Sequence, residues 1–561
     1  MLRHWPWVAA IASGALLTLS LPTWNYGWLC WIALIPLIGG ILFDRTRPLS
    51  PITPSRIAVS RKRGMFRRVR DRWGRFSHHP AGRAFLLGYV TGLVFFWSAF
   101  SWLTTVTEPG WFLLGFYMAL YPALWGALLA RAGRHAGDFT RSVANLRVAA
   151  IGAAGWTALE WLRGWLFTGF GWNNLGTALY SDLAFIQIVE YTGVGGLSFM
   201  LTFTNLIAVI TIKRFIREIA EVRIRPHWDF SVAMVMVAGV FLFGVRALFG
   251  PKQEGTTPLR VAAVQPNIPQ DEKFDQAHEK QIFERLTFLT ESALAWGPDL
   301  LIWPEAATPQ GMFADGTNFA FVHGFASRGD FNFLLGTLDY DAEQRDYNIA
   351  ALLTGKGERV QIYRKNHLVP FGEYIPFRHS FPLFAWIVGD LVPSDFTPGT
   401  TTQPLELENP SLKVGVLICF EDTVGRLTRR FVEAGAQCLI NVTNDGWFLE
   451  SAASRQHLAN AVFRAVENRR PLLRCANTGV SAFIDSYGRI TRQFDDPFAE
   501  GVLADVVQVP PPAARRTFYT RHGEFFSIAS LFATVAWLGC VTLGRKRQGG
   551  QKPSPPSRVP H

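Results

Sequence analysis

The stretch "KVGVLICFED", Lys413 to Asp422, indicates how the largest predicted domain of this chain folds. A continuous apolar run, Val414–Ile418, leads to Cys419, and an aromatic residue and two acids follow at once. A short apolar run of this kind predicts a buried strand. Because α/β folds build their sites at strand ends, we expect Cys419 to lie at the edge of a site. The alternative is a small buried hydrophobe, the usual environment of a free cysteine.

Similar strand-like runs lie on both sides of this stretch. Helical patterns separate several of them, and turns at Gly355–Gly357 and Ser486–Gly488 signal two hairpins. The predicted strands are 259–265, 299–303, 332–338, 414–418, 438–443 and 472–477, and the predicted helices are 275–296, 318–328, 423–434 and 452–468. This pattern predicts an α/β domain of about 270 residues, large enough to bury its own core, which ends in a linker at 508–516.

The chain as a whole is too apolar for an ordinary soluble protein. Of its 561 residues, 49% are hydrophobic and only 17% are charged, whereas about 25% are charged in soluble domains. A stretch of roughly 20 apolar residues can cross a bilayer as a helix. Eight stretches qualify, at 5–22, 26–43, 84–106, 111–130, 148–166, 192–212, 230–250 and 525–543. We therefore predict an α-helical membrane bundle of about eight spans joined to the α/β domain.

The net charge of +12 is concentrated in alternate gaps between the apolar stretches. The gap 44–82 holds eleven Arg and Lys residues, whereas the gaps 107–110 and 167–191 hold none. Basic gaps stay in the cytoplasm. Loop 44–82 shows no folded nucleic-acid recognition element, so we expect it to set orientation and contact anionic lipid.

These patterns together predict four parts of the chain. Both termini are expected in the cytoplasm, with the α/β domain on the opposite, periplasmic side of a bacterial inner membrane. The parts are a membrane domain 1–250 with seven transmembrane helices and the basic cytoplasmic loop 44–82, the α/β domain 251–523, an eighth transmembrane helix 524–544, and a disordered cytoplasmic tail 545–561.

Three apolar runs end in residues that together can perform acyl transfer. "LLIWPEA" leads to Glu305, "VQIYRK" to Lys365 and "VLIC" to Cys419. A glutamate can take the thiol proton, the thiolate can attack a carbonyl, and an ammonium can stabilise the tetrahedral oxyanion. Taken singly, each residue has a plainer interpretation: a turn acid, a solubilising strand-end lysine and a buried thiol. Spacing alone does not bring the three together.

The remaining cysteines do not indicate a zinc site. No C-x-x-C occurs, and Cys30 and Cys540 fall in apolar stretches where they are expected to pack inertly. A disulfide between Cys438 and Cys475 stays open as an alternative. The scattered histidines suggest no metal, and no phosphate-binding or dinucleotide fingerprint occurs. We therefore expect neither a metal nor a cofactor.

The ordered motifs carry a resemblance. "WPE" at 303–305, "KNHLVPFGEYIP" at 365–376 and "CFE" at 419–421 resemble the nitrilase superfamily with its Glu-Lys-Cys triad. With the eight apolar stretches, "NDGWF" at 444–448 and "EWLRGWLFTGFGW" at 160–172, the chain resembles more narrowly the apolipoprotein N-acyltransferase family. The resemblance extends over nearly the whole chain.

The resemblance implies an α-β-β-α sandwich standing on a membrane bundle. It also implies the last step of lipoprotein maturation, in which an acyl chain moves from the sn-1 position of a phospholipid to an amine. The acceptor is the α-amino group of the N-terminal diacylglyceryl cysteine of an apolipoprotein. The reaction is ping-pong through a Cys thioester, by a monomer in the inner membrane, without nucleic acid.

The resemblance also assigns roles to residues. Glu305 matches the general base, Lys365 the oxyanion-stabilising lysine and Cys419 the nucleophile. Two further acids and four substrate-binding positions match the family as well: Glu373 and Glu421, then Trp447, Asn348, Phe274 and Phe420. The chain departs from some relatives, with Phe420 in place of Tyr, Phe274 in place of Trp and Leu449 in place of Gly.

Two other functions compete with this one. A membrane-tethered amidase or nitrilase needs only the triad, for which one anchor suffices. A transporter or scaffold leaves the motifs unexplained and would need more intramembrane charge. Two local expectations also follow: His457, Arg464 and Glu467 lie on a solvated face of helix 452–468 or support the site, and Asp422 caps the next helix unless it has a function.

Overall fold

The computed structural model describes residues 4–43, 76–77, 79–222, 225–250, 254–313, 316–376, 378, 380 and 394–549. Most of the predicted basic loop 44–82 and residues 550–561 of the predicted tail lie outside these ranges. Residues 545–549, which we predicted to be disordered, continue the last helix, Phe525–Gly549. The correction reflects the helix-compatible sequence "GRKRQG", whose charges let a helix extend beyond the apolar core of a membrane.

The described residues up to Gly250 are mainly helical. Among the described residues, five helices are long and apolar enough to cross a membrane, namely Pro80–Ala99, Glu108–Ala136, Val194–Glu221, Trp228–Phe249 and Phe525–Leu543. Three apolar segments are shorter, namely Trp5–Leu19, Gly27–Leu42 and Leu183–Thr192. Helix Ser142–Arg163 has 22 residues and covers most of the fifth predicted span. The span count of eight stays a prediction.

Small residues allow the helices of the bundle to approach closely. A Cβ on Gly88 would lie 2.2 Å from the Pro122 carbonyl oxygen, and one on Gly92 would lie 2.6 Å from the Ala119 Cα. Helices Pro80–Ala99 and Glu108–Ala136 therefore pack backbone to backbone, as membrane helices do when dispersion drives their association.

The remaining residues form two six-stranded sheets within the described part of the chain. The first has the order β12-β1-β2-β3-β4-β5 and the second β11-β10-β9-β8-β7-β6. The strands are β1 Thr257–Gln265, β2 Leu300–Trp303, β3 Asn332–Tyr340, β4 Asp346–Thr354, β5 Arg359–Arg364, β6 Leu405–Leu407, β7 Leu412–Ile418, β8 Cys438–Thr443, β9 Leu472–Ala476, β10 Ala482–Ile484, β11 Ile490–Gln493 and β12 Gly501–Val509.

All six predicted strands and both predicted hairpins are present, but two strands were not predicted. β6 has three residues, and β12 pairs with β1 antiparallel from Gly501 to Val509. The predicted linker 508–516 therefore begins inside a strand. β12 lies at the edge of its sheet, where polar residues such as the partly buried Asp505 and the exposed Gln508 hide the strand pattern.

The sheets pack face to face between two layers of helices. β3 contacts β8 and β4 contacts β7, which places the inner core between the sheets. Helices Glu279–Ala295 and Gly316–Ala326 pack on the first sheet. Helices Gly425–Glu433 and Ala453–Asn468 cover the second sheet. This is the predicted α-β-β-α order.

Candidate active site

Cys419 lies where β7 ends. Its backbone has φ +52°, in the left-handed region that a non-glycine residue rarely adopts, and it starts a short 3-10 helix, Cys419–Thr423. Its carbonyl oxygen accepts hydrogen bonds from Asn441 Nδ2 at 3.0 Å and His457 Nε2 at 3.2 Å. The residue is partly exposed, whereas Cys438 and Cys475 are buried free thiols with no disulfide between them. The chain thus turns sharply to present this thiol.

Glu305 and Lys365 come together from different strands of the first sheet. Glu305 follows β2, and Lys365 directly follows β5. Lys365 Nζ lies 3.5 Å from Glu305 Oε1 and 2.8 Å from Glu373 Oε1. Asn348 Nδ2, from β4, donates to both carboxylates at 2.8 and 2.9 Å. One ammonium and one amide therefore hold two acids side by side.

Gly336 of β3 makes room for Glu305. A Cβ at this position would lie 2.5 Å from the Glu305 Cα and 2.7 Å from the Pro304 carbonyl oxygen. The Gly336 amide donates to that same carbonyl at 3.1 Å. The turn that carries Glu305 can therefore rest directly on β3 because the strand has no side chain there.

The charges of these groups are set by burial and by their neighbours. Burial raises the pKa of the Cys419 thiol, Glu305 raises it further, and Lys365 opposes the shift. For Lys365, burial lowers the pKa, but Glu373 and Glu305 outweigh it, and the pKa lies above the usual range. At neutral pH the site therefore holds a protonated thiol beside a permanent cation, and the thiol needs a base to become a nucleophile.

Glu373 and Glu421, both assigned by resemblance, occupy different surroundings. Glu373 accepts from Lys365 through Oε1 and from the Val369 amide through Oε2 at 2.8 Å, so it orients the lysine. Glu421 is fully buried and accepts from Tyr363 and from three backbone amides, those of Ile418, Asn366 and His367. Burial raises the pKa of Glu421 to about 7. Glu421 ties the end of β7 to the segment after Lys365.

The predicted substrate-binding aromatic residues divide into two groups. Phe420 is buried and stacks on Trp172 and Phe170 of the membrane half, each with a ring-centroid distance of 6.0 Å. Trp447 and Phe274 expose 48% and 47% of their surface. Phe420 therefore lies in the contact between the two halves, whereas the other two are exposed apolar side chains, and a role for them in substrate binding stays a prediction.

A buried charge cluster behind Cys419 escaped the sequence prediction. Arg474 of β9 lies 2.6 Å from Asp422 and 2.8 Å from Asp445, and His457 lies 2.7 Å from Asp422 and 2.9 Å from Asp445. All four are at most 1% exposed. The arginine inside the apolar run "LLRCAN" could have predicted this cluster, because a buried guanidinium needs acidic partners.

Two expectations were wrong here. Asp422 does not cap the next helix, whose N-cap is Val424, because its carboxylate is engaged by Arg474 and His457. The helix Ala453–Asn468 does not present a solvated face, since every residue except Arg455 is buried. His457, Arg464 and Glu467 face the protein interior because the membrane half covers this helix.

Lys273 is a second buried lysine near the site. It is 1% exposed and donates to the backbone carbonyl of Glu305 at 3.0 Å. Its neighbours in "PQDEKFD" are polar, so nothing in the local sequence indicates that Lys273 is buried. Burial lowers the pKa of Lys273 to about 7, although Glu305 opposes the shift.

The lowered pKa of Lys273 predicts a pH-dependent stability. Between pH 7 and the ordinary lysine pKa, the unfolded chain binds this proton and the native chain does not, so the free energy of unfolding rises with pH. Below that pH range, Lys273 is protonated in the native state, and burial of the ammonium lowers the free energy of unfolding. We expect Lys273→Met to raise the Tm in detergent at about pH 6, with the gain shrinking toward about pH 9.

Lys280→Met is the matched control, because its side chain is 88% exposed. Its Tm difference from the parent should stay near zero across the same range. A Lys273→Met gain that is constant with pH, or absent, would show that Lys273 does not titrate in this window.

Two parts of the chain match known protein families. Residues 73–207 match the model of the apolipoprotein N-acyltransferase N-terminal domain, and residues 260–512 match that of carbon-nitrogen hydrolase. An apolipoprotein N-acyltransferase of Geobacter metallireducens is 34% identical, with 96% of each chain covered. One from Brucella melitensis biotype 1 is 31% identical, again with 96% of each covered.

A solved structure is also similar in part. The carbon-nitrogen hydrolase of Helicobacter pylori G27 is 17% identical, with a TM-score of 0.34, and the match covers 45% of this chain and 89% of that one. The two family matches, at residues 73–207 and 260–512, agree with the two relatives that are covered over 96% of their length. This chain belongs to the apolipoprotein N-acyltransferase family.

Proposed function

We propose that this protein transfers an acyl chain from the sn-1 position of a phospholipid, such as phosphatidylethanolamine, to an apolipoprotein. The acceptor is the α-amino group of the N-terminal diacylglyceryl cysteine, and the step is the last one of lipoprotein maturation. One observation carries the proposal: Lys365 Nζ lies 3.5 Å from Glu305 Oε1, in a site shared with Cys419. Family membership supports the substrate class.

The first half-reaction would form a thioester. Glu305 takes the Cys419 thiol proton, which the raised thiol pKa makes necessary. The thiolate attacks the ester carbonyl of the phospholipid, and the Lys365 ammonium stabilises the oxyanion. The C–O bond breaks, and the leaving lysophospholipid oxygen takes the proton from Glu305. The acyl chain is then held on sulfur.

The second half-reaction would release the acyl chain to nitrogen. The neutral α-amine attacks the thioester carbonyl, an N–C bond forms, and the C–S bond breaks. Glu305 accepts the proton that the amine loses and returns it to the departing thiolate, which restores the resting site. Because the two substrates use one site in turn, the kinetics would be ping-pong.

The membrane half suits substrates that are themselves lipids. Aromatic side chains 170 and 172 of this half stack on Phe420, the residue directly after the thiol. We therefore infer that the acyl donor reaches Cys419 from the bundle side. The proposed arrangement keeps eight spans, with a membrane domain 1–250, a periplasmic catalytic domain 251–523, a last span 524–544 and a cytoplasmic tail from 545, in a monomer.

The proposed orientation is tested by thiol labelling of intact cells. A membrane-impermeant maleimide should label single cysteines engineered in 340–346 and should leave those engineered in 55–75 unlabelled until the membrane is opened. The opposite pattern would overturn the orientation.

Mass spectrometry of an acceptor peptide tests the function itself. Purified protein, phosphatidylethanolamine and a diacylated lipopeptide with a free N-terminus should give a lipopeptide heavier by one acyl group. The same peptide with an acetylated N-terminus should gain nothing, because its amine is blocked. Absence of transfer, together with release of ammonia from a small amide or nitrile, would instead support the alternative function, a membrane-tethered carbon-nitrogen hydrolase with the same triad.

A further inference from the structure

Gln456 is a buried glutamine that joins the two halves of the protein. Its side chain makes five hydrogen bonds within the described part of the chain, and all five partners belong to the membrane half. Oε1 accepts from Trp102 Nε1 at 3.2 Å, Trp172 Nε1 at 3.2 Å and Asn173 Nδ2 at 2.9 Å. Nε2 donates to the carbonyl oxygens of Pro22 at 2.9 Å and Ala99 at 3.1 Å.

These bonds gather separate segments of the bundle onto one side chain. Pro22 follows the first helix, Ala99 ends helix Pro80–Ala99, Trp102 lies in the turn after that helix, and the last two partners lie in the loop after Ser142–Arg163. An amide has two N–H groups and one acceptor oxygen, so none of its hydrogen-bonding capacity is left for another partner. Gln456 is 2% exposed.

The next residue, His457, contacts the nucleophile segment. Its Nε2 lies 3.2 Å from the Cys419 carbonyl oxygen, and its ring centroid lies 5.1 Å from that of Trp172. Trp172 therefore touches both residues of the pair. Since Gln456 and His457 are adjacent in one helix, a displacement of either moves the other.

The charge cluster holds the imidazole in place. Burial and Arg474 lower the pKa of His457, but Asp422 and Asp445 outweigh them, and the pKa lies above its usual value. His457 Nδ1 lies 2.9 Å from Asp445 Oδ1, and Nε2 lies 3.2 Å from the Cys419 carbonyl oxygen and 2.7 Å from Asp422 Oδ1. Arg474 contacts the same two carboxylates, so the cluster surrounds its buried acids with basic side chains.

We propose that Gln456 and His457 are positioning residues, through which the membrane bundle sets the backbone of Cys419 for attack on a lipid ester. The bundle fixes Gln456, the helix Ala453–Asn468 transmits that position, and His457 holds the carbonyl of the residue that bears the thiol. The inference rests on the proposed function, because it takes Cys419 to be the nucleophile. Because the orientation of the Cys419 thiol would depend on contact with the membrane bundle, the thiol would be correctly placed for a lipid that arrives from that bundle.

The test separates the number of working sites from the rate at each site. Purified protein in detergent micelles is mixed with phosphatidylethanolamine, and the Cys419 thioester is followed by mass spectrometry at successive times. The final amplitude counts competent sites, and the rate constant reports their geometry. Wild-type protein is tested first for thioester formation. If it forms no thioester, the result contradicts the proposed function and not the positioning role.

Gln456→Met keeps the length of the side chain and removes all five hydrogen bonds. We expect the amplitude to be preserved and the rate constant to fall about tenfold to a hundredfold, because a small misplacement of a reacting group costs that much. Gln437→Met is the matched control, since Gln437 is 3% exposed and, among the residues that the structure describes, its side chain bonds only to Pro510 and Lys413 of its own domain. Its rate constant should equal that of wild type.

Two further variants keep the proposal testable if Gln456→Met folds poorly. Trp102→Phe removes one donor to Gln456 and should slow thioester formation, but by less than Gln456→Met does. His457→Gln can place an amide nitrogen near the Nε2 position and should restore part of the rate that His457→Leu loses. A fall in amplitude with an unchanged rate constant, or equal rates for Gln456→Met and Gln437→Met, would overturn the positioning role.

Discussion

Cys419→Ala is expected to abolish acyl transfer, with a loss of about 10⁶-fold or to the detection limit, as for removal of other nucleophiles. No other group in the proposed mechanism can hold the acyl chain between donor and acceptor. Incubation of the parent protein with phosphatidylethanolamine should leave one acyl group on Cys419. Neutral hydroxylamine should remove it, because it cleaves thioesters, and the variant should show no adduct in intact-mass spectra.

Cys438→Ala provides the control for this result. Cys438 is a buried thiol on the neighbouring strand β8, and its loss changes packing without touching the site. The control should therefore keep the adduct and the activity, with a modest loss of stability. An acyl adduct that persists in Cys419→Ala would contradict the assignment of the nucleophile.

Lys365→Met is expected to cost both activity and stability. Loss of an oxyanion donor lowers kcat by about 10² to 10³. The Glu305 and Glu373 carboxylates, whose side chains are 10% and 12% exposed, would also lose the cation between them. Removing one partner of a buried ion pair costs about 3–5 kcal/mol of unfolding free energy. The measurements are the rate of thioester formation and the Tm in detergent.

A matched control separates the buried charge site from an exposed ion pair. Lys413→Met, at an exposed pair with Glu406, should change the unfolding free energy by less than about 1 kcal/mol. Equal effects of the two substitutions would argue against a buried charge site.

Much of the site could be anticipated because each residue follows a strongly patterned strand. The runs before Glu305, Lys365 and Cys419 are short and apolar, and the structure places all three residues at the ends of β2, β5 and β7. Asn348 and Glu373 were assigned by resemblance, and the structure brings them within hydrogen-bond distance of Glu305 and Lys365 respectively. Their roles in catalysis remain proposals.

The burial of some polar residues could not be predicted, because a covering segment that is distant in the chain leaves no sign in the neighbouring sequence. Helix Ala453–Asn468 carries His, Arg and Glu on one face, and such a polar face predicts exposure to solvent. That face is buried because the membrane half and the charge cluster cover it. Lys273 was missed for the same reason: its polar neighbours give no sign of burial, whereas its side chain points under Glu305.

The sequence by itself determined where most of the strands run, which segments are apolar enough for a membrane, and the family to which the ordered motifs point. These are local properties, since hydropathy and side-chain alternation are read within a window of about ten to twenty residues. Tertiary structure alone decided that Lys365 lies between two acids, that Glu421 braces the end of β7, and that Gln456 is held by the membrane half. Such contacts depend on the order of strands in a sheet and on which surfaces cover each other, and these relations join residues far apart in the chain.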